Sequence, residues 1–243
     1  MAKAKSAKRV PATGDTRSAS APSAPPEPVL RVPAGLKAQV QSMAGRLHKS
    51  ALRRDAILAA ALEEFSARGY AAARLGDVAQ RAGVGKGTIY LHFHDKEALF
   101  RDLVTTLLVP FVANIEAAPA AGLPIRLVLE RFVDMFVREI YGTERRKLLR
   151  LIMTEGPRFP QLAEFHYNHV VKRAIAGMRA LLDAAWRRGE LRNDALVRFP
   201  QLVVAPGLMA IVWSGLFDRF APLDVAAMMR AHLDLILGAG DAS

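Results

Sequence analysis

A short segment between Gly85 and Lys96 carries a set of groups that could bind a polyanion. Six of its side chains bear a positive charge, a hydroxyl or an imidazole, and five of them are candidates for phosphate contacts: Lys86, Thr88, Tyr90, His92 and Lys96. Such groups bind phosphate oxygens in protein–DNA complexes. Gly85 and Gly87 add two positions where the backbone can come close to a partner. We therefore predict that the five side chains contact DNA phosphates and that the two glycines lie at base edges.

Tyr90 and His92 each have a second interpretation. A tyrosine can bury its ring and present its hydroxyl, so Tyr90 is either a phosphate contact or purely a core residue. His92 could also be buried. Phe93 beside it already supplies the apolar anchor, however, and this favours an imidazole that faces phosphate.

Two short helical patterns must position these groups. The first has apolar residues at i, i+3, i+4 and i+7, namely Leu75, Val78, Ala79 and Ala82. Gly83 follows and can adopt the positive φ that ends a helix and turns the chain sharply. The second pattern, from Gly85 to Phe93, would form a rod of ~12 Å, which enters a DNA major groove best by its N-terminal end. This is a helix-turn-helix arrangement, and Asp95 is a predicted N-cap for the next helix.

The segment AGVGKGTIYLHFHDKEALF resembles the signature of the TetR/AcrR family of transcriptional repressors, whose usual pattern is Ala-Gly-Val-Ser-Lys-Gly-Thr-Leu-Tyr-x-His-Phe-x-x-Lys-Glu-x-Leu. The resemblance continues upstream through ILAAALEEFSARGYAAA, and LLRLIMTEGPRFPQLAEF is similar to a segment in the ligand domains of some members. The family usually has Ser where this chain has Gly85, and Thr or Ser where it has Ala73 and Arg74. Gly is still a tolerable N-cap. The resemblance implies that Arg74 makes a charged contact to phosphate in place of a hydroxyl contact.

The positive charge of the chain is concentrated near its N-terminus. The formal net charge is +11, and residues 1–54 hold 11 Lys and Arg against 2 acidic residues. Residues 1–34 lack an apolar period, which predicts a disordered basic tail. Beyond it, Leu36, Val40, Met43 and Leu47 align along one helical seam, which predicts an extra N-terminal helix in a DNA-binding domain of residues 35–100. This helix either packs on the domain or lengthens its first full helix, predicted from about Ala51 to Ala67. The tail either adds salt-sensitive DNA affinity or is only a solvated extension.

The composition indicates a cytoplasmic protein without a membrane segment. The chain has no cysteine, which excludes disulfides and zinc–thiolate sites and suits a reducing compartment. Its start lacks the apolar run of a signal peptide. The longest nearly uncharged run, Phe199 to Phe217, is interrupted by Pro200, Pro206 and Gly207, which favours a buried or interface helix over a membrane span.

The rest of the chain, residues 101–243, is a succession of helical patterns, and the absence of strand alternation predicts an all-α fold. Breaks at Gly and Pro predict helices over 95–108, 124–141, 144–155, 161–188, 194–217 and 224–237, with a kink or stop at Pro110 and a bend near Pro206. The last two helices are more apolar than one core requires, which implies a partner. The resemblance implies that they pair with their copies in a homodimer.

The C-terminal domain is also predicted to hold a ligand. Six large or adaptable side chains are candidates for its apolar lining: Met153, Phe159, Phe165, Tyr167, Trp186 and Trp213. Each of them could instead be plain core. His166 and His169, three residues apart, could form a metal pair, but histidines on a polar helix face are more often solvated, so no metal or cofactor is predicted.

These observations predict a dimeric regulator that binds double-stranded DNA, a repressor released from a palindromic operator by a small, largely apolar effector. One alternative is a sequence-tolerant architectural DNA-binding protein that acts through its basic tail. A helical enzyme with a vestigial DNA reader is a further alternative. No Ser, His and acid cluster occurs at a recognisable catalytic spacing, so an enzyme is not predicted.

Overall fold

Helices make up all of the regular structure in residues 34–118 and 122–238, the ranges that the computed structural model describes. They are α1 (Ala34–Ala72), α2 (Leu75–Arg81), α3 (Lys86–His92), α4 (Lys96–Leu107), α5 (Val109–Ala117), α6 (Ile125–Met135), α7 (Arg145–Glu155), α8 (Pro160–His166), α9 (Lys172–Arg187), α10 (Ala195–Arg198), α11 (Gln201–Leu216) and α12 (Val225–Leu237). The all-α prediction is confirmed. The predicted tail lies outside the described residues, except for Ala34, which begins α1.

Two of the helices continue into π-helical turns. The turn Phe136–Tyr141 follows α6, and the turn Tyr167–Val171 joins α8 to α9. In the first, the amide of Gly142 donates to the carbonyl of Val137, five residues back, at 2.8 Å. Hydrogen bonds of this span widen a helix locally and often occur at functional sites.

A small aromatic cluster joins the N-terminal helices to the rest of the fold. Gly69 has a φ of 76° near the end of α1, and this positive φ turns the next residue, Tyr70, into the core. The Tyr70 ring lies 5.4 Å from that of Phe65, 6.1 Å from that of Phe100 and 4.9 Å from that of Phe159. Burial raises the pKa of Tyr70 to about 12. The cluster therefore contains side chains from α1, from α4 and from the residue that precedes α8.

Charged side chains reinforce the N-terminal helices. Glu64 in α1 is buried, and its carboxylate lies 3.1 Å from both Arg68 and Arg81, so that it ties α1 to α2. An ion pair between Arg54 and Asp102 ties α1 to α4. Removing one partner of a buried ion pair is costly, since the other charge stays buried. Glu64 therefore fixes the position of α2 relative to α1.

The chain enters its C-terminal part through α4 and α5, which are separated by a break at Leu108 (φ −109°) just before Pro110. The kink predicted at Pro110 is therefore observed, but α5 itself was not predicted. Helix α5 packs on α9 at close range, because a Cβ on Gly177 would lie only 3.3 Å from the Cα of Glu116. By length and composition Lys96–Ala117 is apolar enough to cross a membrane, as are many core helices of soluble proteins.

The predicted helix over 194–217 is instead two helices, α10 and α11. They are divided at Phe199 and Pro200, since the residue before a proline is pushed out of the helical region, and Phe199 has φ −126° and ψ 69°. Pro206, where a bend was predicted, lies inside α11. The final helix agrees with its prediction, because the Asp224 side chain caps it by accepting from the amide of Ala227 at 2.9 Å.

Candidate nucleic-acid interface and internal cavity

The turn between α2 and α3 is built as the sequence predicts. Gly83 has a φ of 66°, a conformation that a residue with a Cβ adopts only with strain. Its amide donates to the carbonyl of Gln80 at 3.2 Å, and the amide of Val84 donates to that of Ala79 at 3.0 Å. These two bonds satisfy carbonyls at the end of α2, so α3 begins after only four residues.

Helix α3 has one buried and one exposed face. Ile89 is buried within it, and Phe93 is buried at its C-terminal end. Gly85, Lys86 and Gly87 at its N-terminal end are exposed, and the Tyr90 side chain is half-exposed. The exposed N-terminal half of α3 thus presents a cation, a phenol hydroxyl and bare backbone to a partner.

Leu91 is an exposed residue of α3 that the sequence analysis did not select. It is 85% exposed, more than any other large apolar side chain in the described residues. An apolar side chain on a groove-reading helix can contact the methyl group of thymine. The exposure of Leu91 could have been predicted, because a residue two positions after buried Ile89 lies on the opposite face of a helix.

Thr88 and His92, like Lys96, are less exposed than the other predicted contacts. Both are partly buried, and His92 lies beside Phe93, with ring centroids 6.2 Å apart. His92 also lines a polar groove with Arg54 and Asp102. The structure therefore brings His92 to the edge of the α3 surface and Thr88 to its first turn.

Lys96 has a structural role that the sequence analysis missed. Its ammonium group donates to the carbonyls of Tyr70 and Ala71, both at 2.9 Å, and lies 4.7 Å from the centre of the Tyr70 ring. These carbonyls are at the end of α1, so Lys96 caps one helix from the first turn of another. An ammonium group has three donors, and these two bonds use two of them.

Arg74 precedes α2 and is exposed. It makes no side-chain cap, and its carbonyl accepts from the amides of Asp77 and Val78 at 3.1 and 3.2 Å. Arg74 is the N-cap residue of α2, and the N-terminal end of a helix favours anions. The position is compatible with the predicted phosphate contact.

An internal cavity of about 160 Å³ lies in the C-terminal part of the fold, among residues of α5, α6, α7, α8, α9, α11, α12 and both π turns. Three phenylalanines line it, Phe111, Phe132 and Phe136. Gly207 admits the Phe136 ring closely, because a Cβ there would lie 2.9 Å from it. A neighbouring cavity of about 200 Å³ shares the walls Ile115, Phe132 and Met178.

None of the six side chains predicted to line a ligand site lines this cavity. Phe159 packs on Tyr70, and Phe165 stacks on His169 with ring centroids 4.0 Å apart. Met153 is partly buried against the core, and the indole N–H of Trp213 donates to the Ala221 carbonyl at 2.7 Å. Tyr167 and Trp186 are exposed. Helix phase decides which side chains face inward, and aromatic content does not reveal it. The six residues therefore stay a prediction for the ligand site, and the observed cavity has a different lining.

His166 is the residue of this region that the sequence analysis interpreted wrongly. It was expected to be solvated, but it lines the cavity and its Nδ1 atom is buried without a hydrogen-bond partner. The overlooked signal is a stripe at intervals of four: His166, Val170, Ala174 and Met178, all of which line the cavity. His169 lies outside the cavity, and its Nδ1 contacts the carbonyl of Phe165 at 2.9 Å. No group of three potential metal ligands occurs within the described ranges.

Comparison with known families accounts for most of the chain. Residues 57–103 match the family described as bacterial regulatory proteins, tetR family. Residues 105–228 match the C-terminal domain of AefR-like transcriptional repressors. The first match contains the helix-turn-helix, and the second contains the cavity.

Curated relatives share different portions of the chain. The uncharacterised HTH-type transcriptional regulator YhgD of Bacillus subtilis (strain 168) is 43% identical over 72 residues, which are 30% of this chain and 38% of YhgD. The HTH-type transcriptional repressor BepR of Brucella suis biovar 1 (strain 1330) is 30% identical over 156 residues, which are 60% of this chain and 72% of BepR. The chain thus spans well under half of YhgD and more than two thirds of BepR.

A solved structure shares the fold across both parts. The complex of SmeT with triclosan gives a TM-score of 0.64 at 22% identity and covers 78% of this chain and 93% of SmeT. SmeT is the repressor of the Stenotrophomonas maltophilia multidrug efflux pump SmeDEF. At this level of identity the likeness shows the fold alone.

Proposed function

Because the chain belongs to the TetR family of bacterial transcriptional regulators and is not an enzyme, we propose that it is a dimeric repressor released from a palindromic operator by a small, largely apolar effector. It would act in the cytoplasm. The observation that carries the proposal is the pairing of an exposed helix α3 with an apolar cavity in the domain that α4 joins to it.

The proposed DNA contacts follow the exposure of α3. Lys86, Thr88 and Tyr90 would contact phosphates from its first two turns, and Gly85 and Gly87 would let the backbone approach base edges. Arg74, His92 and Lys96 would hold the flanking phosphates. For Lys96 this contact uses the third N–H of an ammonium group that already donates to two carbonyls.

The proposed dimer forms through α11 and α12. Helix α11 carries an exposed apolar stripe at helical spacing, made of Leu202, Ala205, Leu208, Met209, Val212 and Leu216. Leu235 of α12 is 82% exposed as well. Contiguous apolar surface of this kind marks interaction sites in water-soluble proteins. A two-fold dimer would place two copies of α3 on half-sites one helical turn apart, or multiples of it.

The cavity is linked to the DNA-binding helices by direct contacts. Leu108, at the break between α4 and α5, lines the cavity, and α4 begins at Lys96 beside α3. Glu155 at the end of α7 packs on the bend of α1, since a Cβ on Gly69 would lie 2.9 Å from its Oε1 atom. An effector that favours a different position of α4 would change the spacing of the two α3 helices, so that effector and DNA oppose each other.

A salt bridge also connects α7 to α1. The ammonium of Lys147 in α7 donates to the carboxylate of Glu63 in α1 at 2.8 Å. This hydrogen bond lowers the pKa of Glu63, and hydrogen bonds to Glu144 and Glu63 raise the pKa of Lys147. Because both side chains are partly exposed, the pair adds little stability and chiefly fixes relative position.

The proposal is tested by measuring binding of the purified full chain to duplexes from its own upstream region by fluorescence anisotropy. We expect one duplex to be preferred over scrambled sequence. Lys86→Ala and Lys96→Met should each weaken all sequences alike and lower the salt slope by about 1 per protomer. The matched control is Lys172→Ala, an exposed lysine of α9, which should change neither quantity. If Lys86→Ala and Lys172→Ala changed the affinity and the salt slope equally, the placement of DNA on α3 would be rejected.

The architectural alternative is favoured by the charge of the N-terminal residues and is tested by deleting residues 1–34. A regulator that reads DNA with α3 should keep its preference for one duplex and lose only sequence-independent affinity. A protein that binds through its tail should lose most of its affinity for every duplex.

A further inference from the structure

The cavity contains one polar side chain in an otherwise apolar wall. The described residues that line it are aliphatic, aromatic, thioether or glycine, except for His166. Pockets for small molecules commonly have this composition, since the apolar wall supplies affinity and a few polar groups fix orientation. His166 is therefore the group that could select one ligand over another.

The Nδ1 atom of His166 is buried and has no hydrogen-bond partner among the described residues. An unpaired buried polar atom is unfavourable, and a ligand that bonds to it removes this cost. Burial lowers the pKa of His166 to about 4, so the imidazole is neutral near pH 7. A neutral imidazole offers one nitrogen lone pair, a good acceptor for a hydroxyl.

The cavity has room for about one ring. Its volume of about 160 Å³ is close to that of an apolar cavity of ~150 Å³ in another protein, which binds benzene. The three lining phenylalanines favour an aromatic occupant, since rings pack well edge to face and offset. No described lining residue carries a positive charge, so a buried carboxylate would have no counter-ion.

We propose that the effector is an uncharged monocyclic phenol whose ring fills this cavity and whose hydroxyl donates to Nδ1 of His166. This inference rests on the proposed function and names its ligand class. A substituent on the ring can extend past Met178 toward the neighbouring cavity of about 200 Å³.

The test is calorimetry on the full chain with three ligands of matched shape, p-cresol, p-xylene and the 4-methylbenzoate anion. p-Xylene replaces the hydroxyl by a methyl group, so the comparison isolates the hydrogen bond. We expect the wild type to bind p-cresol at least about tenfold more tightly than p-xylene, the equivalent of one hydrogen bond, and not to bind 4-methylbenzoate measurably. Equal affinity for p-cresol and p-xylene would overturn the proposal, and so would preference for the anion.

Two variants assign the effect to the residue. His166→Phe should abolish the preference for p-cresol while keeping an aromatic ring in the wall. His169→Phe is the matched control, because it lies on the same helical segment with its Nδ1 on the Phe165 carbonyl, and it should keep the preference. A preference that survives in His166→Phe would overturn the proposal.

A third variant keeps the test decisive if His166→Phe does not fold. Ala174→Leu adds three carbon atoms to the wall two turns beyond His166 and should abolish binding of both neutral ligands. Wild-type binding of p-cresol by this variant would place the ligand elsewhere and overturn the proposal.

The failure of this inference is distinguishable from that of the proposed function. Selective binding of p-cresol without release from the preferred duplex would leave the ligand class supported and reject phenol-responsive repression. Sequence-specific DNA binding without any binding of p-cresol would overturn the ligand class and leave DNA-binding regulation intact.

Discussion

The residues that form the helix-turn-helix lie close together in the sequence, whereas those that line the cavity are spread over much of the chain. The turn and the exposed surface of α3 come from residues between Leu75 and His92. The cavity draws on residues from Leu108 to Met229. A site made from one short segment leaves a local pattern in the sequence. A site made from six or more helices depends on the rotation of each helix, which no short segment specifies.

The cluster around Tyr70 joins α1 and α4 to the residue before α8, and its removal should have the largest effect. Tyr70→Ala should lower the free energy of unfolding by about 3–5 kcal/mol, as for other buried aromatic residues, because it removes contacts to Phe65, Phe100 and Phe159. Denaturant unfolding measures this. The control Tyr167→Ala, at a tyrosine 55% exposed, should cost about 0.5 kcal/mol or less. Similar losses of stability in Tyr70→Ala and Tyr167→Ala would mean that the Tyr70 ring is not packed in this aromatic cluster.

Acid should act on the cavity more than on the helix-turn-helix. The pKa of His166 is about 4 in the folded chain, against an ordinary value of 6.5, so between these values the unfolded chain binds a proton that the folded chain does not. Stability from the neutral His166 is therefore complete above pH 6.5 and is lost as pH falls toward 4. The wild type should lose at most roughly 3 kcal/mol more than His166→Phe over this window. Parallel pH profiles from urea unfolding would contradict the burial of this imidazole.

Two glycines near the turn should respond to alanine substitution with stability changes of opposite sign. Gly83→Ala should cost about 1–2 kcal/mol, because Gly83 has a positive φ and alanine is strained there even though space is open. Gly87→Ala, within α3 and also in open space, should instead stabilise the fold by up to about 1 kcal/mol. Thermal unfolding of the two variants tests the difference in sign. A stabilising Gly83→Ala would show that the turn does not need a left-handed residue.

The smallest expected effect is a difference in stability between variants of two lysines, Lys96 and Lys86. Lys96→Met should cost about 1 kcal/mol of stability, since two carbonyls at the end of α1 lose their donor. Lys86→Met should change stability by less than about 0.5 kcal/mol, because Lys86 is exposed. Unfolding measured without DNA makes this comparison. If the two losses were equal, Lys96 would not act as the cap of α1.

The sequence predicted the local features of this fold well because each depends on a few neighbouring residues. Gly83 turns with positive φ, the Asp95 carboxylate accepts from the amide of Ala98 at 2.7 Å, and Gly189 follows α9 with a φ of 74°. Each feature is a matter of one residue's backbone freedom or one capping oxygen. Such choices are made within a turn of helix and need no knowledge of the rest of the molecule.

Features that depend on distant residues were missed or misassigned. The contact of Lys96 with the carbonyls of Tyr70 and Ala71 spans more than twenty residues, and nothing near Lys96 signals it. The division at Pro200 was readable from the proline but was overlooked in favour of Pro206. The cavity lining required the phase of α8 and α9, which the turn Tyr167–Val171 alters.

The π turns on either side of the cavity give its lining an adjustable register. Phe136 and Ile140 lie in the first, and Val170 and Val171 lie in the second. A π turn holds one residue more per hydrogen-bonded ring than an α turn. Loss of a single codon there would remove the extra residue and restore an ordinary helix, so that the contacts made by the turn itself change while the side chains on either side keep their orientation. Relatives could thus acquire a different set of ligand contacts by deleting one residue, while the helix that reads DNA keeps its sequence.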